Sequence, residues 1–157
     1  MGFDAKEQRR IMGTFATGVT VVTTCTGDDL HGMPANAVTS LSLAPPLILV
    51  AVDKDSQTHE SIRGGNCFAV NILRDTQEEI SQQFARPGPK DFSSVPHRSG
   101  TTGAPILSGA IGYVDCQLRE ILPGGDHDIF VGEIVSGGTS EGEPLLYFGG
   151  KYRRLAD

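Results

Sequence analysis

Apolar positions along this chain recur at two different periods. Near the N-terminus, Gln8, Ile11, Met12, Phe15 and Ala16 return every three or four residues. That spacing predicts an amphipathic helix over residues 4–16. Asp4 reads as its N-cap, with Glu7 three residues on as the partner in a capping box. Beyond Gly18 the pattern shortens to runs of β-branched and aliphatic residues, as strands show. Such runs occupy residues 19–25, 32–42, 47–52, 67–73, 110–122, 128–135 and 145–148. The run from Leu47 to Val52 is apolar throughout and predicts the most buried strand. Ser56 or Thr58 reads as the cap of a short helix that ends near Gly64 and Gly65. Asp75 with Glu78 suggests a second capping box, before Ile80 and Phe84. Residues 86–102 hold Pro87, Gly88, Pro89, Pro96 and Gly100 and show little periodicity, so they read as a long loop.

Helical and strand patterns do not alternate regularly, which argues against a doubly wound sheet. The pattern instead predicts a mainly β fold: a small antiparallel barrel with short helices over its ends. No repeat or linker divides residues 1–157, so one domain is expected. Composition sharpens this picture in three places. Twenty glycines and nine prolines in 157 residues fit many short elements and turns. A formal net charge of -6 argues against nucleic acid as a partner. Cys25, Cys67 and Cys116 are odd in number and widely spaced, which suits reduced thiols rather than a disulfide framework or metal centre. No stretch has the roughly 18 apolar residues of a membrane span, and MGFDAKEQRR lacks the apolar region of a secretory signal. A cytoplasmic location is therefore expected.

The usual catalytic signatures are absent: GxGxxG after a strand, GxxxxGK[ST], GxSxG and HExxH. Four groups of residues remain as candidate chemistry. Ala35, Asn36, Ala37, Thr39 and Ser40 combine small side chains with an amide and hydroxyls. A flat ring can approach such a backbone and bond to it; a plain polar edge strand is the alternative. The cluster Asp53-Lys54-Asp55-Ser56-Gln57-Thr58-His59 follows the most apolar run. Hydroxyls and N–H groups at a helix start suit a phosphate, and Lys54 adds charge; a simple capped turn is the alternative. Gly124-Gly125-Asp126-His127-Asp128 sets a histidine between two carboxylates, either of which can orient its ring. An exposed hairpin tip would look the same. Lys151-Tyr152-Arg153-Arg154 is a basic cluster with one aromatic, suited to a ring or a phosphate, or else a solubilising tail.

FATGVTVVTT at 15–24, GMPANAVTSLSLAPPLILVAVDKDSQTH at 32–59 and CFAVNILRDTQEEISQQFA at 67–85 resemble the flavin reductase family. So do GGDHDIFVGEIV at 124–135 and PLLYFGGKYRRL at 144–155. These are short flavin:NAD(P)H oxidoreductases of two-component monooxygenases, and the likeness spans nearly the whole chain. It implies an FMN-binding split barrel, usually a homodimer. Such a protein reduces FMN or FAD with NADH or NADPH, and the reduced flavin reaches a separate monooxygenase by diffusion or transient contact. By the same resemblance Ala35, Asn36, Ala37, Thr39 and Ser40 meet the isoalloxazine. Asp53, Lys54, Ser56 and Thr58 meet the ribityl chain and phosphate. Ser81, Phe84 and Ala85 lie near that phosphate or the dimer surface. His127 sits near the nicotinamide as the candidate catalytic residue, and Tyr152 closes the site. Pro34 departs from the family pattern, which commonly has threonine there. A flavoprotein with tightly held FMN, or another oxidase on the same barrel, is the competing expectation.

Overall fold

The computed structural model describes residues 2–156. Among them are three helices and twelve strands. In chain order they are α1 (Ala5–Met12), β1 (Thr17–Gly18), β2 (Thr20–Thr26), β3 (Asp29–Ala35), β4 (Val38–Leu43), β5 (Pro46–Asp53), α2 (Gln57–Gly65), β6 (Cys67–Ile72) and α3 (Glu78–Ala85). There follow β7 (His97–Ser99), β8 (Pro105–Leu107), β9 (Gly112–Gly124), β10 (His127–Thr139), β11 (Leu146–Phe148) and β12 (Lys151–Arg153).

Seven strands form one antiparallel sheet in the order β3-β2-β6-β9-β10-β5-β4. Its two edges, β3 and β4, are consecutive in sequence and joined only by Asn36 and Ala37. Laid flat, edges six strand spacings apart would stand about 29 Å from each other. The link from Ala35 to Val38 reaches about 10 Å at most. The sheet therefore curls into a barrel, split at Asn36–Ala37 and covered by helices. This is the mainly β antiparallel barrel that the residue pattern predicts, in the split form that the resemblance implies.

The barrel interior is filled by Val22, Ile48, Val50, Val52, Phe68, Val70, Cys116 and Phe130, with Ile62 from α2 closing one end. A second cluster lies outside the wall, where Val19, Val21, Leu73, Phe84, Phe92, Val95, Leu107 and Leu145 pack together. Val21 and Val22 point to opposite clusters, so β2 is buried on both faces. Alternation also refines the reading of β5. Ile48, Val50 and Val52 point inward, while Leu47, Leu49 and Ala51 are half-buried.

Several element boundaries differ from the sequence reading. The helix expected over 4–16 ends at Met12. Asp4 caps it by accepting from the N–H groups of Lys6 and Glu7, but Glu7 pairs with Arg10 instead of completing the box. The run at 32–42 is two strands broken at Asn36–Ala37, with a register shift between Ser40 and Ser42. Asp75 caps nothing. Gln77 precedes α3, its Oε1 accepting from Arg74 N and its amide donating to Ser108 O. Residues 86–102 contain β7, which pairs with β8. Lys151–Arg153 is not a free tail but the last strand of a hairpin on β11, its tight turn made by Gly149 and Gly150 at positive φ. No helix among the described residues is long and apolar enough to cross a membrane.

Candidate functional site

Three cavities adjoin one another through shared lining residues, Pro34 between the first and second and His31, Gln57 and Lys90 between the second and third. The first, of about 210 Å³, is lined by Val19, Pro34, Ala35, Asn36, Ser81, Tyr147 and Tyr152. Its walls are neutral. Tyr147 and Tyr152 face each other across the β11–β12 hairpin, ring centroids 5.4 Å apart. Tyr152 is tied to α3, its hydroxyl 2.8 Å from the buried Ser81 Oγ. The carbonyls of Ala35 and Ala37 are already engaged, accepting from Thr20 Oγ1 (2.6 Å) and Ala51 N (3.0 Å). Asn36 also borders an apolar slot of about 410 Å³ whose walls include Met12, Phe15, Thr17, Ala37, Thr39 and Leu49. Thr17 Oγ1 is the one buried side-chain polar atom among the described residues that finds no partner. Thr39 and Ser40 lie exposed on the edge strand β4.

Pro34 is shared with the second cavity, of about 490 Å³. As an edge-strand residue, it costs the sheet no ladder hydrogen bond on its open side. This cavity is lined by the start of α2 (Ser56, Gln57, Thr58) and by Phe84, Ala85 and Arg86. His31 and Lys90 complete its polar wall, which holds no carboxylate. Ser56 caps α2 by accepting from His59 N (3.2 Å), while its hydroxyl donates to Asp53 O (2.8 Å). Asp53 Oδ1 in turn accepts from Asp55 N. N–H groups at this helix start and nearby cations together suit an anion. Phe84 is a packing residue, 5.1 Å from Phe92. It approaches β3 closely because residue 32 is glycine: a Cβ there would lie 3.1 Å from the Phe84 ring. Lys90 Nζ donates to Phe84 O and Arg86 O, and burial lowers its pKa. His31 and Lys90 also line a third, outer cavity of about 640 Å³, which carries Asp28, Asp29 and Glu60.

The residues singled out from sequence are not all in these cavities. Lys54 lies outside them, its Nζ 3.9 Å from Asp128 Oδ1. His127 is at the β9–β10 tip, paired in register with Asp53, and lines none of these cavities. Its Nδ1 lies 2.7 Å from Asp126 Oδ1. That hydrogen bond, then the charge of His127, lowers the Asp126 pKa. Asp128 has a different partner, the buried His59, at 2.7 Å. Tyr147, Arg86, Lys90 and His31 were not singled out. Their roles depend on contacts between β11, the loop after α3, and β3, which no local spacing announces. No cluster of three or more metal-ligating side chains occurs among the described residues.

Comparison with known proteins gives this geometry a family. Residues 12–156 match the flavin reductase like domain. An NADH-dependent FAD reductase of Streptomyces globisporus is 40% identical over 159 residues, covering 98% of this chain and 87% of that protein. The reductase component of a 4-nitrophenol 4-monooxygenase/4-nitrocatechol 2-monooxygenase from Rhodococcus opacus is 38% identical, covering 95% of this chain and 80% of its own. A solved NADH:FAD oxidoreductase of Streptomyces globisporus, in complex with NAD and FAD fragments, superposes with a TM-score of 0.92 at 38% identity. That alignment covers 99% of this chain and 97% of the other. A match across almost the whole sequence, on the split barrel just described, shows that this chain belongs to the flavin reductase family.

Proposed function

We propose that this chain, as one flavin reductase-like domain, uses NADH or NADPH to reduce FMN or FAD and supplies the reduced flavin to a separate monooxygenase. One observation carries the reading: a neutral, tyrosine-walled cavity at Ala35–Asn36 adjoins, at their shared wall residue Pro34, a cation-lined cavity at the α2 N-terminus. A heteroaromatic ring linked to a phosphate has that sequence of polarities. The relatives are reductases of FAD with NADH and a reductase component of a monooxygenase.

The flavin, when bound, supplies the chemistry by accepting a hydride from the nicotinamide. The protein's task is to hold two rings and donate hydrogen bonds. Ala35 and Ala37 let a ring approach the backbone, while Asn36, Thr39 and Ser40 offer polar contacts along its edge. Ser56 and Thr58 present the start of α2 to the phosphate, beside Arg86 and Lys90. Asp53 holds the turn that sets this helix start, and Lys54 steadies it through Asp128. Phe84 and Ala85 form the far wall. Tyr152, fixed by Ser81, covers the ring. His127 holds the nicotinamide or protonates the product. No covalent nucleophile is needed, which agrees with the missing catalytic signatures.

A homodimer is part of this proposal. Helix α1 buries no residue in its own chain. Its Ile11 and Met12 stand exposed with Phe15 (68% exposed) and, on the edge strand β4, Leu41 and Leu43 (91% exposed). Equilibrium sedimentation giving a monomer at micromolar concentration would refute that part. The activity is tested by mixing the protein anaerobically with a nicotinamide and free flavin, in all four combinations. Rapid loss of oxidised-flavin absorbance is expected. No loss with any combination sinks the reading, and yellow colour surviving dialysis would favour a tightly held flavin instead. An unchanged kcat/KM for NADH in His127→Ala would remove the role given to His127.

A further inference from the structure

The anion-suited cavity contains one group whose charge is not fixed. His31 is buried, with Nε2 2.7 Å from Thr58 Oγ1. It stands in the wall shared by the cation-lined cavity and the outer one. Facing these cavities are Thr58 and Glu60 from α2, Arg86 and Lys90 from the loop after α3, Asp28 from the β2–β3 turn and Asp29 at the start of β3. The carboxylates lie only on the outer side. Burial first, and Lys90 second, hold the imidazole below its ordinary pKa. At neutral pH the ring is therefore uncharged while no anion is near.

We infer that His31 takes up a proton when a flavin phosphate enters the inner cavity, which makes it a determinant of phosphorylated flavins over riboflavin. The inference rests on the flavin reading above. A phosphate monoester brings nearly two negative charges at neutral pH, and an anion within a few ångströms favours the imidazolium. Where the neutral ring carries its proton on Nδ1, protonation also reverses its hydrogen bond to Thr58. A neutral imidazole carrying its proton on Nδ1 accepts at Nε2, which consumes the only proton of the Thr58 hydroxyl. The imidazolium instead donates from Nε2 to Thr58 Oγ1. Thr58 can then donate its own O–H to a phosphate oxygen. One proton from solvent thus supplies both a charge and a donor beside the α2 N-terminus.

The test is calorimetric titration of the wild type and His31→Gln with FMN and with riboflavin, each in two buffers of different protonation enthalpy. Wild type should take up a substantial fraction of a proton with FMN and almost none with riboflavin. His31→Gln should lose that uptake and keep only the release from the phosphate's own second proton, which titrates near pH 6. Its FMN affinity should fall by up to about ten-fold for a one-unit coupling, more at pH 6 than at pH 8. Riboflavin affinity should not change. Equal proton counts in the two proteins, or equal weakening of FMN and riboflavin, would overturn the inference. At about pH 7.5, where the free phosphate has already lost nearly all of its second proton, the wild-type arm decides the matter even if the variant does not fold: FMN bound with no more proton uptake than riboflavin also overturns it. Absence of binding by either flavin to wild type would instead overturn the flavin reading, and this inference with it.

Discussion

Replacing Tyr152 by Phe removes one oxygen from the hydrogen bond that closes the candidate ring cavity. Ser81 Oγ loses its partner at 2.8 Å while remaining fully buried. A buried hydroxyl left unsatisfied costs about 1–3 kcal/mol. Ser81 borders the 210 Å³ cavity, so a water can reach it, and the lower end, about 1 kcal/mol, is expected. For a chain of this length that lowers Tm by about 2–4 °C. The partner substitution Ser81→Ala should cost less, because Tyr152 is only half-buried and its hydroxyl can return to solvent. The double variant should then match Ser81→Ala alone, since removing both partners leaves nothing unsatisfied. Thermal melts of the four proteins by circular dichroism complete the cycle. Additive losses, or a Ser81→Ala variant as unstable as Tyr152→Phe, would refute the reasoning. Affinity for FMN supplies a second reading: Tyr152→Phe keeps the aromatic wall and should bind nearly as wild type, whereas Tyr152→Ala should not.

Three further outcomes follow from the packing and titration of the chain. Gly132→Ala places a Cβ 2.6 Å from Phe68 Cζ and 2.7 Å from Cys116 Cβ. It should destabilise by about 1–3 kcal/mol through overpacking, and an unchanged melt would contradict the tight barrel interior. Thr17→Val removes the unpartnered buried hydroxyl at nearly constant shape. It should stabilise by about 1 kcal/mol or more, and a lower Tm would show that this oxygen has a partner in solution. Because the folded-state pKa of His31 is lowered, the unfolded chain binds more protons in the interval between the two values. The His31 contribution is then complete above about pH 6.5 and is lost as pH falls from there through the folded value. Chemical unfolding at several pH values should show that loss in wild type and not in His31→Gln.

Legibility varied from element to element for identifiable reasons. Strands such as β5 and β6 were visible because burial writes apolar runs directly into the sequence. The Asp4 and Ser56 caps were visible because capping is local. The break at Asn36–Ala37 was not, since small and β-branched residues continue across it and only the change of sheet edge marks it. Asp75 looked like a cap by spacing, yet the position before α3 is Gln77, held by Arg74 and Ser108. In the candidate site, Ser56, Thr58, Ala35 and Asn36 belong to short stretches whose composition stands out. His31, Tyr147 and the pair Arg86 and Lys90 come from three separate segments, β3, β11 and the loop after α3, and no short window of sequence spans any two of them.

By itself the sequence determined the period of each element, the absence of nucleophilic and metal-binding signatures, and a likeness to one family extending over nearly all of its length. Those properties depend on residue type and on neighbours a few positions away. Tertiary structure alone decided that the two edges of a seven-stranded sheet meet at a two-residue link, that Pro34 lines both a neutral cavity and a cationic one, and that His31 faces Thr58. The reason is geometric. Antiparallel pairing and curling bring together residues dozens of positions apart, and the charge and burial of a site arise only where those distant segments converge.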